Sequence, residues 1–331
     1  MNKHDLSVFR AKMGRLDLGF LRKYAVVFVL LALILLFSLL NDRFFTARNL
    51  TNIVSQNTYF VIVAIGMSFV LISGGIDLSV GFQMSLVGIL TAMMMVLWGF
   101  PVWAAIILGV ILGTLLGMVN GLIVTRIRTF PLIVTLATSV IFKGISYIVS
   151  GARTFRDYPA SFQFITRGRW LGITFDVYLA FFIVILAAFI FYKTTWGIRV
   201  VALGGNEEAL RLAGVNTRRL KAIVYTVCGF FTAIATMVMV ARQNSMVSSL
   251  GPGTEFTALT AAIVGGVSFL GGEGNIPALV AGVFVLGVLQ NGMQLAGWDI
   301  NAQYIATGAI LLAAVFFDEY QKNLKMKVKT K

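Results

Sequence analysis

The 331-residue sequence predicts an all-α polytopic membrane protein: about ten transmembrane helices in two inverted five-helix halves, with both termini cytoplasmic. Three observations lead there. The chain is 58% hydrophobic and only 12% charged, with a mean hydropathy of +0.89, whereas soluble domains are about one-quarter charged. Apolar runs recur that are long enough to cross a hydrocarbon core as helices, for which roughly 17–25 residues suffice. Lys and Arg gather in alternate connecting segments, as cytoplasmic loops do.

The elements follow in chain order. Residues 1–23 are charged from Lys3 onward, include His4, and read as a polar cytoplasmic segment with no cleavage-site pattern. The run 24–40 is followed by Asn41-Asp42-Arg43, so it reads as a retained helix and not a removed leader. Further spans are predicted at 53–73, 82–98, 101–125, 130–150, 175–192, 222–241, 257–271, 277–297 and 303–317. The run 257–271 is the short one. Residues 24–317 form one transmembrane domain, and 318–331, ending "YQKNLKMKVKTK", form a basic cytoplasmic tail. This topology places 19 of the 27 basic residues in the cytoplasm. The net charge of +14 therefore orients the chain in a membrane and is not a footprint for nucleic acid. The outer loop 151–174 runs against the rule, carrying Arg153, Arg156, Arg167 and Arg169. Their charge suggests a landing site for an acidic protein surface.

A shift of 171 residues lays "VNGLIV" (119–124) on "QNGMQL" (290–295), and brings spans 53–73 and 130–150 close to later spans. An odd number of spans per half inverts the second half, an arrangement frequent in transporters, where the substrate route runs between the repeats.

Several chemistries are excluded. There is no GxxxxGK[ST] phosphate loop and no HExxH. The single cysteine, Cys228, reads as a packed hydrophobe, so there is no disulfide framework and no expected metal site. Ion-coupled carriers hold charged residues within their spans. Here Lys143 is the exception within a span, and Asp77 lies at a break. An energy source on another polypeptide fits better than an ion-coupled secondary carrier.

Three local patterns carry candidate function. In the loop 193–221, Asn206 is an N-cap residue, Glu207 and Glu208 meet the positive helix end, Arg211 follows, and Gly214 supplies a left-handed stop. The product is a helix of about two turns, too short to stand alone. It should pack against something, as an ordinary interfacial helix or as a docking knob. Two glycine-hinged turns form the second pattern: "GGIDLSVG" with Gly74, Gly75, Asp77, Ser79 and Gly81, and "VGGVSFLGGEGN" with Gly271, Gly272, Glu273 and Gly274. Asp77 is read as capping the next span with Ser79 in its first turn; the rival role is a cytoplasmic gate. The third pattern is the sparse set of polar residues within spans. Gln56, Asn57, Asn120, Gln290 and Asn291, with Phe60 and Phe82 beside them, are translocation-path candidates suited to neutral polyols. Each can instead serve as an interhelical hydrogen bond.

"GGIDLSVG" (74–81), "TTWGIRVVALGGNEEALRLAGV" (194–215) and "VGGVSFLGGEGN" (264–275), in that order, resemble the membrane permeases of bacterial monosaccharide ABC importers, of the ribose, galactose, arabinose and xylose type. The resemblance covers residues 24–317. All eight residues of the first motif fit. The second departs locally, reading Trp196-Gly197-Ile198 before Arg199 where such permeases commonly carry "FGR". The resemblance implies a ten-helix permease in the bacterial inner membrane that pairs as a homo- or heterodimer. It implies a separate ATP-binding cassette subunit that binds the ATP, docked on the 206–213 coupling helix through Glu207, Glu208 and Arg211. It also implies a periplasmic or lipid-anchored sugar-binding protein outside. The chain itself would be a translocation subunit and not an enzyme, needing no cofactor of its own. Autoinducer-2, a nucleoside or a branched-chain amino acid is the alternative cargo.

Overall fold

The computed structural model of the protein describes residues 18–127 and 129–329. His4, most of the N-terminal segment, Arg128 and the last two residues lie outside them.

The helices are α1 (Leu18–Leu40), α2 (Ala47–Gln56), α3 (Thr58–Ile72), α4 (Val80–Val96), α5 (Val102–Arg126), α6 (Pro131–Ser150), α7 (Ala160–Arg167), α8 (Phe175–Lys193), α9 (Thr195–Gly205), α10 (Glu207–Leu212), α11 (Thr217–Gln243), α12 (Thr254–Val264), α13 (Ile276–Leu295) and α14 (Ile300–Lys329). Among the described residues, seven helical stretches are long and apolar enough to cross a membrane: α2–α3 taken together, α5, α6, α8, α11, α13 and residues 300–320 of α14. Shorter apolar helices occupy 25–40, 80–96 and 254–264. Each of the ten expected runs thus coincides with an apolar helix, and seven of the ten reach spanning length.

Two boundaries are corrected. The expected run 257–271 ends early: Gly266 at φ +80° follows the Gly265 cap, and the N–H groups of Gly266 and Val267 close on Ile263 O and Ala262 O. That double bond with a left-handed residue is the glycine stop of a helix. The expected run from 53 instead belongs to a helix that starts at Ala47 behind the Thr46 cap and is interrupted at Asn57.

The core is built around α3 and α11, the two most enclosed spans, which pack on each other. A row of small residues brings α5 against α11. Gly109, Gly113, Gly117 and Gly121 recur every four residues and so line one face of α5. A Cβ at Gly117 would lie 2.5 Å from Tyr225 O and 2.8 Å from Gly229 Cα. Close backbone approach of this kind is how helices associate without a hydrophobic driving force. On the outside, α5, α8 and α14 expose Ile107, Leu115, Phe181, Phe189, Leu312 and Phe316, an apolar surface suited to lipid.

The displaced repeat reappears in the element bounds. Shifted by 171, α4 falls at 251–267 around α12, α5 at 273–297 around α13, and α6 at 302–321 within α14. The loop 151–174 is ordered. Its strand β1 (Phe155–Arg156) pairs antiparallel with β4 (Ser245–Met246), α7 follows, and β2 (Arg169–Trp170) pairs with β3 (Ile173–Thr174). Arg153, Arg156, Arg167 and Arg169 are all exposed.

Candidate functional site

A cavity of about 530 Å³ opens at one end of the bundle, between the start of α3, the end of α11, the start of α12, the end of α13 and the start of α14. Gln56, Asn57, Phe60, Gln290 and Asn291, five of the seven path candidates, line it together. Gln243, Gln294, Gln303, Thr254, Thr257 and Thr307 add amides and hydroxyls, while Tyr59, Phe60 and Tyr304 add aromatic surface. Tyr59 and Phe60 rings lie 4.1 Å apart. The amides are partly committed: Asn57 Nδ2 donates to Ile53 O at 2.7 Å, and Asn49 and Asn291 exchange reciprocal amide bonds at 2.9 and 3.1 Å.

Asn120 does not line this cavity. It is fully buried and donates to Ser79 Oγ at 2.6 Å, within the Asp77 network. The repeat pairing with Asn291 concealed this, because equivalent places in two halves face different neighbours. Phe82 also lies elsewhere, with Lys143 Nζ 5.6 Å above its ring. That contact shelters an ammonium on an aromatic face.

The sequence reading missed a charged pair at the cavity wall. Asp176 is fully buried in the first turn of α8, and Arg242 lies in the last turn of α11 and lines the cavity. Arg242 Nη1 donates to Asp176 Oδ2 at 3.1 Å and to Ser55 Oγ at 2.8 Å, and Thr58 Oγ1 donates to the same carboxylate oxygen at 3.0 Å. Both residues sit at span ends, where charge reads as ordinary loop charge. Only the packing of α8, α11 and the α2–α3 corner shows that they meet.

The two glycine-hinged turns and the short capped helix come together at the other ends of α3 and α13. Helix α3 stops at Ile72; Gly74 adopts φ +79°, and the N–H groups of Gly74 and Gly75 bond Leu71 O and Val70 O. Three Gly-Gly pairs, 74–75, 204–205 and 271–272, then converge. A Cβ on Gly271 would stand 2.9 Å from Gly74 Cα and 3.2 Å from Gly204 Cα. Gly272 N–H donates to Ile72 O at 2.9 Å, and a Cβ on Gly204 would strike that same oxygen. Only glycine lets three backbones meet this closely.

Asp77 lies beside this junction, fully buried. Its Oδ1 accepts the Ser79 N–H at 3.0 Å and the Ser79 hydroxyl at 2.6 Å. Ser79 precedes α4 and is not in its first turn, because the carboxylate holds it in a local turn. Gly81 makes room for the Glu255 carboxylate. Gly274 does the same for the Ile72 side chain. Glu273, the acid of the second glycine turn, is exposed on the edge of a second cavity of about 750 Å³.

Helix α10 begins two residues after Gly205. Asn206 Oδ1 accepts Ala209 N–H at 2.9 Å, and Gly214 closes the far end at φ +83° with its N–H on Arg211 O. Glu208 and Arg211 pair one turn apart, and this hydrogen bond holds the Glu208 carboxyl below the usual range. Glu207 pairs with Lys221 of α11. Leu210 packs the helix against the core, as a helix too short to stand alone requires, while Leu212 stands 77% exposed. Among the described residues no group of three or more His, Cys, Asp or Glu is placed to hold a metal ion.

A multi-pass bundle of apolar helices, with a polar cavity at one end and a capped surface helix anchored to a backbone junction at the other, defines a membrane transport protein. The chain belongs to the branched-chain amino acid transport system / permease component family, whose model matches residues 49–315. It is similar to the L-arabinose transport system permease protein AraH of Escherichia coli K12, 36% identical over 310 residues covering 94% of this chain and 92% of the relative. The ribose import permease protein RbsC of Bacillus subtilis is 35% identical, covering 91% of this chain and 94% of the relative. The D-allose transport system permease protein AlsC of E. coli K12 is 32% identical over 89% of this chain and 91% of the relative. No solved structure matches the chain.

Proposed function

We propose that this chain is the permease subunit of an ATP-driven importer that passes a neutral monosaccharide across the bacterial inner membrane. The observation that carries the reading is the cavity. Its lining is rich in amides, hydroxyls and aromatic rings, the groups that bind sugar hydroxyls and ring faces, and Arg242 is the charged residue in it. The relatives named for arabinose, ribose and allose support this cargo. The family description names branched-chain amino acids, which favours a second reading. Such a cargo needs partners for an ammonium and a carboxylate plus an apolar slot. A lining whose charged residue is tied to Asp176 suits it less well.

In this reading the chain crosses the membrane ten times in two inverted halves. Both termini, including the 1–23 segment and the 318–331 tail, are cytoplasmic, and the cavity faces outward. A second permease chain, identical or not, completes the route. The ATP-binding cassette subunit, which binds the ATP, docks on α10 through Glu208, Arg211 and the exposed Leu212, with Glu207 braced on Lys221. Movement of α10 is passed through Gly204–Gly205 to both glycine turns. A binding protein delivers sugar outside, and the arginines of loop 151–174 meet its acidic lobes. The chain itself contributes no nucleotide hydrolysis.

The test is reconstitution of the permease with its cassette and binding protein in liposomes. ATP-dependent uptake of D-ribose, L-arabinose or D-allose is expected. Uptake by the permease alone, without ATP or collapsing with a proton gradient, overturns the reading in favour of a secondary carrier.

A further inference from the structure

We infer that Arg242 is a specificity-determining residue of the cavity, and that Asp176 behind it makes the site select neutral polyols over sugar acids. The inference rests on the cargo reading above.

Arg242 lines the cavity, and its side chain keeps 23% of its surface exposed while Asp176 keeps none. Its Nη1 serves Asp176 and Ser55, and Nη2 bonds Ser55 at 3.0 Å. A guanidinium carries five N–H donors in a fixed plane. These three bonds lock the plane and leave the remaining donors for hydroxyl oxygens in the cavity. Such a clamp positions a donor fork without a freely rotating side chain.

The charge arithmetic decides the substrate class. Among the described residues that line the cavity, no other is acidic or basic. An unpaired guanidinium there would hold a carboxylate as a bidentate partner. The buried Asp176 carboxylate, 3.1 Å away, cancels that charge from the protein side. Thr58, donating to the same oxygen, fixes the carboxylate in place. Glu255, next in sequence to the lining residue Thr254, is engaged elsewhere: its Oε2 accepts Gly253 N–H at 2.9 Å and faces Gly81 of α4. The cavity is therefore donor-rich and electrically balanced, a combination that binds sugars and gives a sugar acid no net attraction.

Ligand-observed saturation-transfer NMR on the purified permease–cassette complex, with D-ribose and D-ribonate as probes, reads this directly. The wild-type complex should show D-ribose contact that D-ribonate does not displace. Asp176→Asn leaves the arginine uncompensated, and D-ribonate should then compete at least about tenfold better than before. Arg242→Gln should lose the D-ribose signal without gaining one for D-ribonate. Should a single variant fail to assemble, the charge-balanced double variant Asp176→Asn/Arg242→Gln carries the test: weaker D-ribose contact and no D-ribonate contact support the assignment. Ribonate competition unchanged in Asp176→Asn, ribose contact unchanged in the double variant, or strong ribonate binding to the wild type overturns it. Liposome uptake separates the two levels. If the wild-type importer moves none of D-ribose, L-arabinose and D-allose, the cargo reading falls and takes this inference with it. If it moves one of them and the NMR selectivity ignores both residues, only this inference falls.

Discussion

Adding one methyl group at Gly117 probes the packing on which the whole bundle rests. In Gly117→Ala the new Cβ would lie 2.5 Å from Tyr225 O, 2.8 Å from Gly229 Cα and 2.9 Å from Gly229 N. Carbon atoms rest at about 3.5–4.0 Å from their neighbours. All three obstacles are backbone, so no rotamer change clears them, and α5 must move away from α11 by about an ångström. That shift also loosens the contacts at Gly113 and Gly121 on the same face. Overpacking of a tight interior costs ~1–3 kcal/mol, which is roughly a 5- to 150-fold fall in the folded-to-unfolded ratio at 1.4 kcal/mol per decade. Gly144→Ala on α6 is the matched control, since nothing lies within 4 Å of its added Cβ. There the better helix former should leave stability level or slightly raised. The assay is thermal denaturation of the detergent-solubilised chain, followed by the monodisperse fraction on size-exclusion chromatography. Equal midpoints for the two variants would refute the close-approach argument.

Asn206→Ala should cost α10 about 1 kcal/mol of N-cap stability; in reconstituted complexes the expected readout is ATP hydrolysis that persists while uptake falls, and unimpaired uptake would remove α10 from the coupling route. Arg211→Gln should return the Glu208 titration to the ordinary range of about 4.3, measured by carboxyl ¹³C shifts in nanodiscs. Because the folded-state value is lowered, the pair's stabilisation is present above the ordinary value and disappears as pH drops through the lowered one. An unmoved titration would show that the pair does not form. Asp77→Asn keeps an acceptor for the Ser79 N–H, so the chain should assemble; loss of uptake in an assembled complex supports a gate, and failure to assemble supports a purely architectural turn. Replacing Arg153, Arg156, Arg167 and Arg169 with Gln should raise the binding-protein concentration needed for half-maximal uptake, and an unchanged value removes the landing-site role.

Legibility in the sequence followed the range of the forces involved. Apolar runs, the Asn206 cap, the Gly214 stop and the glycine turns at 74 and 271 depend on neighbours within about a turn of the chain, so they could be read directly. Even there the limits were local: the end of α12 at Val264 turned on a glycine stop lying inside an apolar run. The polar residues within spans were recognisable as a set, since membrane interiors tolerate few of them. Their partners were not. Asn120 and Asn291 occupy matching places in the repeat, yet one joins the buried Asp77–Ser79 network and the other lines a cavity.

Sequence alone determined that this chain forms a membrane bundle of apolar helices, and that it carries a capped surface helix with two glycine turns. Tertiary structure alone decided that Gly74, Gly204 and Gly271 share one backbone junction, and that Arg242 finds Asp176 at the cavity wall across 66 residues of chain. Helix and turn formation are short-range consequences of hydrophobicity and backbone freedom. Which faces meet depends on how small residues let distant helices approach, and that is set only when the whole bundle packs.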